Sequence, residues 1–223
     1  MDKKRWAALS ALALMGTGAS AQSTDGRMNV LFILTDDFQN NAIHARGRHD
    51  VQTPNIDYIY SQGTAFTNCY INGAIGGALS MPSRAMIMTG RGVFEIAQDG
   101  WVIPERHVML PEQLRAQGYR TFSTGKWHSD FESYNRAFAE AENIFFGGMH
   151  TYELGGHTAP RLMHYDPLGN YRRQKPFTGE KFSSEMYADA AVDFLNSAGG
   201  HDKPFFAYVA FTSPHDPHDQ HPY

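Results

Sequence analysis

The stretch "MNVLFIL", residues 28–34, is a continuous apolar run in which branched side chains dominate. A run of this length without polar alternation is typical of a parallel strand whose two faces are both buried. It therefore predicts a central strand of a parallel sheet. Thr35, Asp36 and Asp37 follow at once, and open α/β sheets bind their ligands at the carboxyl ends of the strands.

Outward from this strand, predicted strands and helices alternate along the chain. The further strand candidates are "TAFTNCYI" at 64–71, "YRTFSTGKWH" at 119–128 and "KPFFAYVAFTSPHDP" at 203–217. The helix candidates are 53–62, a helix that begins at Ser80, 109–117, and 184–198. This order predicts a doubly wound, mostly parallel α/β sheet flanked by helices. Residues 132–182 lack a clear period, and we expect a long surface excursion there.

The first 21 residues have the composition of a secretory signal peptide. A basic start is followed by a short apolar run and an A-x-A site that ends at Ala21. A buried N-terminal helix is the alternative, and the run is too short to span a bilayer. We expect export to the periplasm or the exterior, and one domain over residues 22–223. The chain stops at Tyr223 soon after a predicted strand, so we expect the C-terminal part of this domain to be absent.

Charge and cysteine content exclude some classes of protein. The formal net charge is −4 and no long basic run occurs, which argues against a nucleic-acid partner. Cys69 is the only cysteine, so an internal disulfide is impossible. It lies in the apolar stretch 64–71, where a small buried hydrophobic side chain is the expected role.

Chemically active side chains follow the predicted strands. They are Asp36 and Asp37, Ser80 at a helix start, Lys126 and His128 in "TGKWH", and His215 in "SPHDP". Each has a simpler explanation: the aspartates could be a cap or a solvated turn, Ser80 a helix cap before Pro82, Lys126 a surface lysine and His215 a loop residue. A parallel sheet would bring them all to one edge, and that joint placement favours a functional site.

The sequence around Ser80 resembles the signature of formylglycine-dependent sulfatases, in the alkaline-phosphatase-like superfamily. That signature is Cys or Ser, any residue, Pro-Ser-Arg, four residues and Thr-Gly; here it runs from Ser80 through Arg84 to Thr89-Gly90 without departure. The strand ending in two aspartates, "TPNID" at 53–57, "TGKWH" at 124–128 and the last predicted strand match in order. The resemblance covers about residues 29–217 and identifies an N-terminal portion.

The resemblance implies a role for Ser80. In the family this residue is oxidised to formylglycine, and one hydroxyl of its hydrate attacks sulfur and displaces the alcohol. Deprotonation of the other hydroxyl then expels sulfate and restores the aldehyde. An unmodified serine could perform only the first half of this reaction. A serine instead of a cysteine is similar to the bacterial subclass matured by an oxygen-independent radical enzyme, so a maturase is an implied transient partner.

The resemblance also implies roles for the other site residues. Asp36 and Asp37, with the group at residue 80, would ligate Ca²⁺, with Mg²⁺ as a possible substitute. Arg84 would orient the diol, and His128 would hydrogen-bond it. Lys126 and His215 would bind sulfate, and His215 would protonate the leaving oxygen. The family's second pair of metal ligands is expected outside this stretch.

The expected substrate is an organic sulfate ester, with carbohydrate esters preferred because of export and an aromatic, His-rich stretch at 149–173. A purely structural loop would explain that stretch equally well. One alternative function is a phosphoesterase of the same superfamily that uses unmodified Ser80; the Pro-Ser-Arg context argues against it. Another is a catalytically inactive fragment that binds anions or glycans.

Overall fold

A parallel four-stranded sheet forms the centre of the fold in the computed structural model, which describes residues 26–47, 50–76, 79–199 and 202–218. The predicted signal peptide lies outside these residues. The strands of the sheet are β1 (Val30–Leu34), β2 (Arg120–Lys126), β3 (Glu140–Phe145) and β6 (Phe205–Ala210), in the order β1-β6-β2-β3. Two short strands, β4 (Arg161–Leu162) and β5 (Phe177–Thr178), pair antiparallel.

Helices pack on both faces of the sheet, as the alternating pattern predicts. The described helices are α1 (Pro54–Gln62), in which no residue is buried, α2 (Ser80–Thr89), α3 (Leu110–Ala116), α4 (Phe131–Ala137) and α5 (Ser183–Ala198). Short 3-10 turns occur at Asn40–Ala42, His44–Arg46, Ala97–Gly100, Tyr152–Leu154 and Tyr171–Arg173. The mostly parallel α/β class is therefore confirmed, and no described helix is both long and apolar enough to span a bilayer.

The prediction that residues 28–34 form a central strand is wrong in one respect. β1 is a parallel strand, but it lies at the edge of the sheet and pairs only with β6 among the described strands. Leu31 and Ile33 are 45% and 50% exposed, because helix α5 covers the neighbouring β6 and β2 on that face. The central position belongs to β6, in which residues 206–210 are all buried.

Two other local expectations need correction. The stretch 64–71 forms no strand; Phe66 and Tyr70 are 80% and 85% exposed, and Cys69 is exposed instead of buried. Strand propensity without a neighbouring strand to pair with does not make a strand. Residues 132–182 are more ordered than expected, since they hold most of α4, the sheet strand β3 and the β4–β5 hairpin.

Aromatic side chains fill the larger core, between the sheet and helices α2 and α4. Trp127 and Tyr134 meet edge to face, with ring centroids 5.4 Å apart, and both are almost fully buried. On the opposite face, Phe194 of α5 stacks on Phe122 of β2 at 4.3 Å. This is the apolar face that the i, i+4 spacing of α5 predicts. Burial on both faces fixes the positions of β2 and β6, and therefore also the positions of the residues that follow each strand.

Glycine is required at the end of β2. Gly125 has φ +91°, and a Cβ there would lie 2.0 Å from the carbonyl oxygen of Ala210. The register between β2 and β3 shifts at this point, between Thr124 and Gly125. The close approach of β2 to β6 therefore needs a residue without a side chain, immediately before Lys126.

Candidate active site

The carboxyl ends of β1, β6 and β2 lie side by side and bring the predicted site residues together. The backbone N–H of Asp36, after β1, donates to the carbonyl of Ser213, after β6, at 3.2 Å. A cleft of about 240 Å³ opens here, and its walls include Asp36, Asp37, Ser80 and Arg84. The sequence-based prediction of one site at one edge of the sheet matches this arrangement.

Ser80 is the first residue of α2, and its hydroxyl is directed to a histidine instead of capping the helix. Leu79 occupies the N-cap position, without a side-chain cap bond. Ser80 Oγ lies 2.9 Å from Nδ1 of His128, within hydrogen-bond distance. The helix-cap explanation for Ser80 is therefore wrong, and its hydroxyl contacts an imidazole that could accept its proton.

The environment of His128 holds its imidazole in the neutral form. Burial, together with the nearby positive charges of Lys126 and Arg84, lowers the pKa of His128 to about 4. A neutral imidazole has one nitrogen that can accept a hydrogen bond or a proton, and a pKa of about 4 makes it a weaker base than an ordinary histidine. His128 also has φ +63°, an unusual conformation for a non-glycine residue that is maintained by its surroundings.

Lys126 is buried among polar partners and is not a surface lysine. Its side chain is fully buried, and its ammonium donates hydrogen bonds to Oδ2 of Asp36 and to the carbonyl oxygen of Gly148. Burial lowers the pKa of Lys126, an effect that the neighbouring Asp36 carboxylate opposes. A buried charge of this kind is tolerated because it is paired and hydrogen-bonded.

Arg84 projects from the first turns of α2 into the same buried cluster. Nη1 donates to the carbonyl of Lys126 at 2.8 Å and to the hydroxyl of Tyr208 at 3.1 Å. Nη2 lies 3.6 Å from Oδ1 of Asp36. The Arg84 Nε atom is buried and has no hydrogen-bond partner among the described residues. The planar guanidinium is thus held in place on one edge.

Asp37 and His215 form the more open side of the site. His215 Nε2 lies 3.6 Å from Oδ2 of Asp37, and its Nδ1 lies 3.0 Å from Oδ1 of Asp216. The Asp37 side chain is 63% exposed, whereas that of His215 is 20% exposed. Asp37 also has φ +58°, so two of the predicted site residues adopt left-handed backbone conformations. Such strain clusters at functional sites.

The oxygen atoms at this edge of the sheet are of the kind that binds a hard divalent cation. Asp36 and Asp37 offer carboxylate oxygens, which Ca²⁺ and Mg²⁺ prefer. In the described residues, however, no group of three or more His, Cys, Asp or Glu side chains is arranged to hold a metal ion. Asp36 contacts Lys126 and Arg84 instead, and these two cations balance its charge.

Three residues at the site escaped sequence analysis. Tyr208 of β6 was assigned only to an apolar strand, yet its hydroxyl accepts from Arg84. Gly148 contacts both Lys126 and His128, and His157 reaches the carbonyl of His215. These contacts involve backbone atoms or a long sequence separation, so no local pattern reports them.

The parallel sheet with helices on both faces, and the buried cations at its strand ends, agree with the alkaline-phosphatase-like fold of similar solved structures. A solved complex with D-glucosamine-2-N,6-O-disulfate shares this fold, with a TM-score of 0.65 and 29% identity over 84% of this chain and 34% of that chain. The complex of Ps i-CgsB with k-i-k-neocarrahexaose gives a TM-score of 0.66 and 27% identity over 85% of this chain and 46% of that chain.

Sequence comparison narrows this class to one family. The sulfatase family profile matches residues 28–223, and the chain belongs to that family. It is 29% identical to the N-acetylglucosamine-6-O-sulfatase of Bacteroides thetaiotaomicron over 93% of this chain and 34% of the relative. It is also 29% identical to the arylsulfatase of Klebsiella aerogenes, over 97% of this chain and 49% of the relative. The chain thus spans about a third to a half of these relatives.

Proposed function

We propose that this chain forms the nucleophile-bearing part of a sulfatase that hydrolyses organic sulfate esters. The observation that carries the proposal is the 2.9 Å contact between Ser80 Oγ and the neutral imidazole of His128, beside the buried cations Lys126 and Arg84. A hydroxyl, a base and two positive charges are the groups that nucleophilic attack on an anionic ester requires. Membership of the sulfatase family supports the same chemistry.

Residue 80 is proposed to act after oxidation of Ser80 to formylglycine. Once formed, this group supplies a hydrated aldehyde whose two hydroxyls serve attack on sulfur and release of sulfate. The proposal is supported by the complete signature from Ser80 to Gly90. A hydroxyl held near Nδ1 of His128 can transfer a proton to that nitrogen. A maturase that works on serine is the implied transient partner.

The cations of the site are proposed to bind the sulfate group. Lys126 supplies a compact positive charge, and its pairing with Asp36 fixes its position before substrate arrives. His215 lies on the open side, where its half-buried imidazole can hydrogen-bond sulfate and donate a proton to the leaving oxygen. Arg84 orients the group at residue 80 from within the same helix.

Ca²⁺ is the proposed metal, with Mg²⁺ as a possible substitute, held by Asp36, Asp37 and the group at residue 80. The cation would supply positive charge for the nucleophile and for sulfate. Ca²⁺ takes six to eight oxygen ligands, which these residues alone cannot provide. The proposal therefore includes further ligands from outside the described residues.

Carbohydrate sulfate esters are the proposed substrates. Relatives of this chain are named as sulfatases of N-acetylglucosamine and N-acetylgalactosamine, and two similar structures hold sulfated sugars. Beside Ser129, the residue after His128, lies a cleft of about 420 Å³ lined in part by Trp101, Phe131 and Arg172. Aromatic rings with a nearby guanidinium suit the apolar and anionic parts of a sulfated sugar.

The N-terminal 21 residues support export to the periplasm or the exterior, since their sequence has the features of a signal peptide. Sulfated glycans are bulky polymers, and an exported enzyme would meet them outside the cell. Fusion of residues 1–21 to a reporter enzyme that is active only after export tests this point, with the Lys3, Lys4 and Arg5 charges reversed as the control. A reporter that stays inactive with the native leader would contradict export.

The second candidate function is a phosphoesterase that uses unmodified Ser80. The close contact between Ser80 and His128 favours it, because the serine is already placed against a base. Comparison of aryl sulfate and aryl phosphate hydrolysis by the matured enzyme decides between the two. We expect sulfate esters to react faster by orders of magnitude; equal rates, or a preference for phosphate, would support the phosphoesterase.

A catalytically inactive, anion-binding protein is the remaining candidate, and the same experiment tests it. Turnover above that of the Ser80→Ala variant excludes it. Failure of the matured enzyme to hydrolyse either ester, together with retained sulfate binding by titration calorimetry, would establish it and overturn the proposed hydrolysis.

A further inference from the structure

Residues 148–157 contact three of the predicted catalytic residues, although none of them belongs to the family signature. Gly148 accepts a hydrogen bond from Lys126 and lies against the ring of His128, so close that a Cβ would be 2.7 Å from Nε2. At the other end of the segment, Nε2 of His157 lies 3.1 Å from the carbonyl oxygen of His215.

His157 is buried and fully engaged in hydrogen bonds. The residue is 2% exposed, and its Nδ1 lies 2.8 Å from Oγ of Ser183, the first residue of α5. A backbone carbonyl can only accept, so the contact with His215 requires a proton on Nε2. Nδ1 then accepts from the hydroxyl of Ser183, and Thr212 Oγ1 lies 3.3 Å from both Nδ1 and Ser183 Oγ.

This arrangement connects His215 to a rigid element. His215 follows β6 in a segment without regular secondary structure, where its own N–H bonds to the nearby carbonyl of Thr212. The side-chain contacts of His215 are with Asp37 and Asp216, both largely exposed. The bond from His157 is therefore a buried link between the backbone of His215 and helix α5.

We propose that His157 is a positioning residue that holds His215 in the geometry required for sulfate binding and for protonation of the leaving oxygen. The inference rests on the proposed sulfatase function. His157 does not touch substrate in this proposal; it acts through the carbonyl of His215. Substitution of His157 should therefore impair departure of the alcohol, which accompanies attack on sulfur, more than it impairs folding or the later release of sulfate from residue 80.

Three variants of the matured enzyme separate this role from simple packing. In His157→Gln the side-chain amide reaches the position of Nε2 and can still donate to His215. In His157→Asn the amide reaches only the position of Nδ1, so the bond to His215 is lost while that to Ser183 can remain. His157→Ala removes both. We expect kcat to stay within a few-fold in the Gln variant and to fall roughly 10- to 100-fold in Asn and Ala.

Aryl sulfates with leaving groups of different acidity provide the readout that a packing defect would not change. Loss of a well-placed proton donor slows poor leaving groups most, so the Asn variant should lose more activity on an alkylphenyl sulfate than on a nitrophenyl sulfate. Thermal unfolding of each variant checks that the protein is folded. Equal losses in the Gln and Asn variants, or losses independent of the leaving group, would overturn the inference.

The outcomes also distinguish the inference from the function on which it rests. A matured wild-type enzyme without activity on any sulfate ester would overturn the proposed function, and this inference with it. An active wild type whose His157→Asn variant keeps its activity, or loses the same fraction of it on both aryl esters, would overturn the inference alone.

Discussion

Gly148→Ala is the substitution that most directly tests whether the position of the His128 ring controls activity. The backbone of Gly148 is not left-handed, so alanine is compatible with its conformation. The new Cβ, however, would lie 2.7 Å from Nε2 and 2.8 Å from Cε1 of His128. The clash falls on a side chain, so the ring can move and the fold can be retained.

The required movement is large enough to break the contact between His128 and Ser80. Favourable separations between non-bonded heavy atoms begin near about 3.5 Å, so the ring must move by roughly 0.8 Å. The bond from Nδ1 to Ser80 Oγ is 2.9 Å, and such a shift lengthens it to the limit of hydrogen bonding or misaligns it. Misplacement by about 1 Å costs about 100-fold in rate, so we expect kcat to fall roughly 10- to 100-fold.

The assay is steady-state hydrolysis of an aryl sulfate by the matured enzyme, with thermal unfolding measured in parallel. Gly179→Ala is the matched control, because its Cβ would lie 2.9 Å from Cγ of Pro160, a clash of similar size away from the site. We expect the control to keep its kcat. Full activity of Gly148→Ala, or equal losses in the two variants, would refute the reasoning.

Further predictions concern the cluster, the cleft and the core. Tyr208→Phe removes the hydroxyl that accepts a hydrogen bond from Arg84, and we expect kcat to fall about tenfold while the protein stays folded. An unchanged kcat would mean that the hydrogen bond to the carbonyl of Lys126 alone keeps Arg84 in position. Trp101→Ala should raise KM for a sulfated oligosaccharide several-fold without raising KM for an aryl sulfate. Equal changes in KM for the two substrates would show that the cleft lined by Trp101 does not bind the oligosaccharide. Burial lowers the pKa of His150 to about 3, so the unfolded protein binds a proton below about pH 6.5 that the folded protein does not bind. The free energy of unfolding should therefore fall as pH falls from 6.5 toward 3, by at most about 1.4 kcal/mol per pH unit. His150→Gln should flatten this dependence on pH, and an unchanged slope would contradict the assignment.

The sequence predicts the elements of this fold better than their positions. The 3.6-residue period of α5 and the apolar run of β6 identify a helix and a strand, because each buries a contiguous face. The run at 28–34 looks equally buried, yet β1 lies at the edge of the sheet with Leu31 and Ile33 exposed. An apolar sequence shows that a strand can be buried, but it does not show which neighbouring elements will cover that strand.

Strand β3 was missed for the opposite reason. Its sequence, "EAENIF", is polar over its first half, and only its last three residues are buried. The stretch 64–71 has the composition of a strand and forms none. In both cases the partner strand, which is distant in sequence, decides the structure, and local composition does not report it.

The candidate site likewise contains residues that the sequence predicts and residues that only the structure shows. The proximity of Ser80, Lys126 and His128 could be predicted because a parallel sheet gathers strand ends and because the signature is local in sequence. The positions of Gly148 and His157 depend on backbone carbonyls and on contacts between residues 20 to 60 positions apart. No spacing rule encodes such contacts, so only the three-dimensional structure shows that Gly148 and His157 adjoin the predicted catalytic residues.

Mass spectrometry of the peptide that carries residue 80 tests the central claim most directly. The enzyme is produced without oxygen, together with a maturase that accepts serine, and the peptide from the active fraction is compared with that from cells lacking the maturase. The account predicts a peptide lighter by two hydrogen atoms, in proportion to the sulfate released per enzyme. Unmodified serine at residue 80 in an enzyme that releases sulfate with full turnover would contradict it.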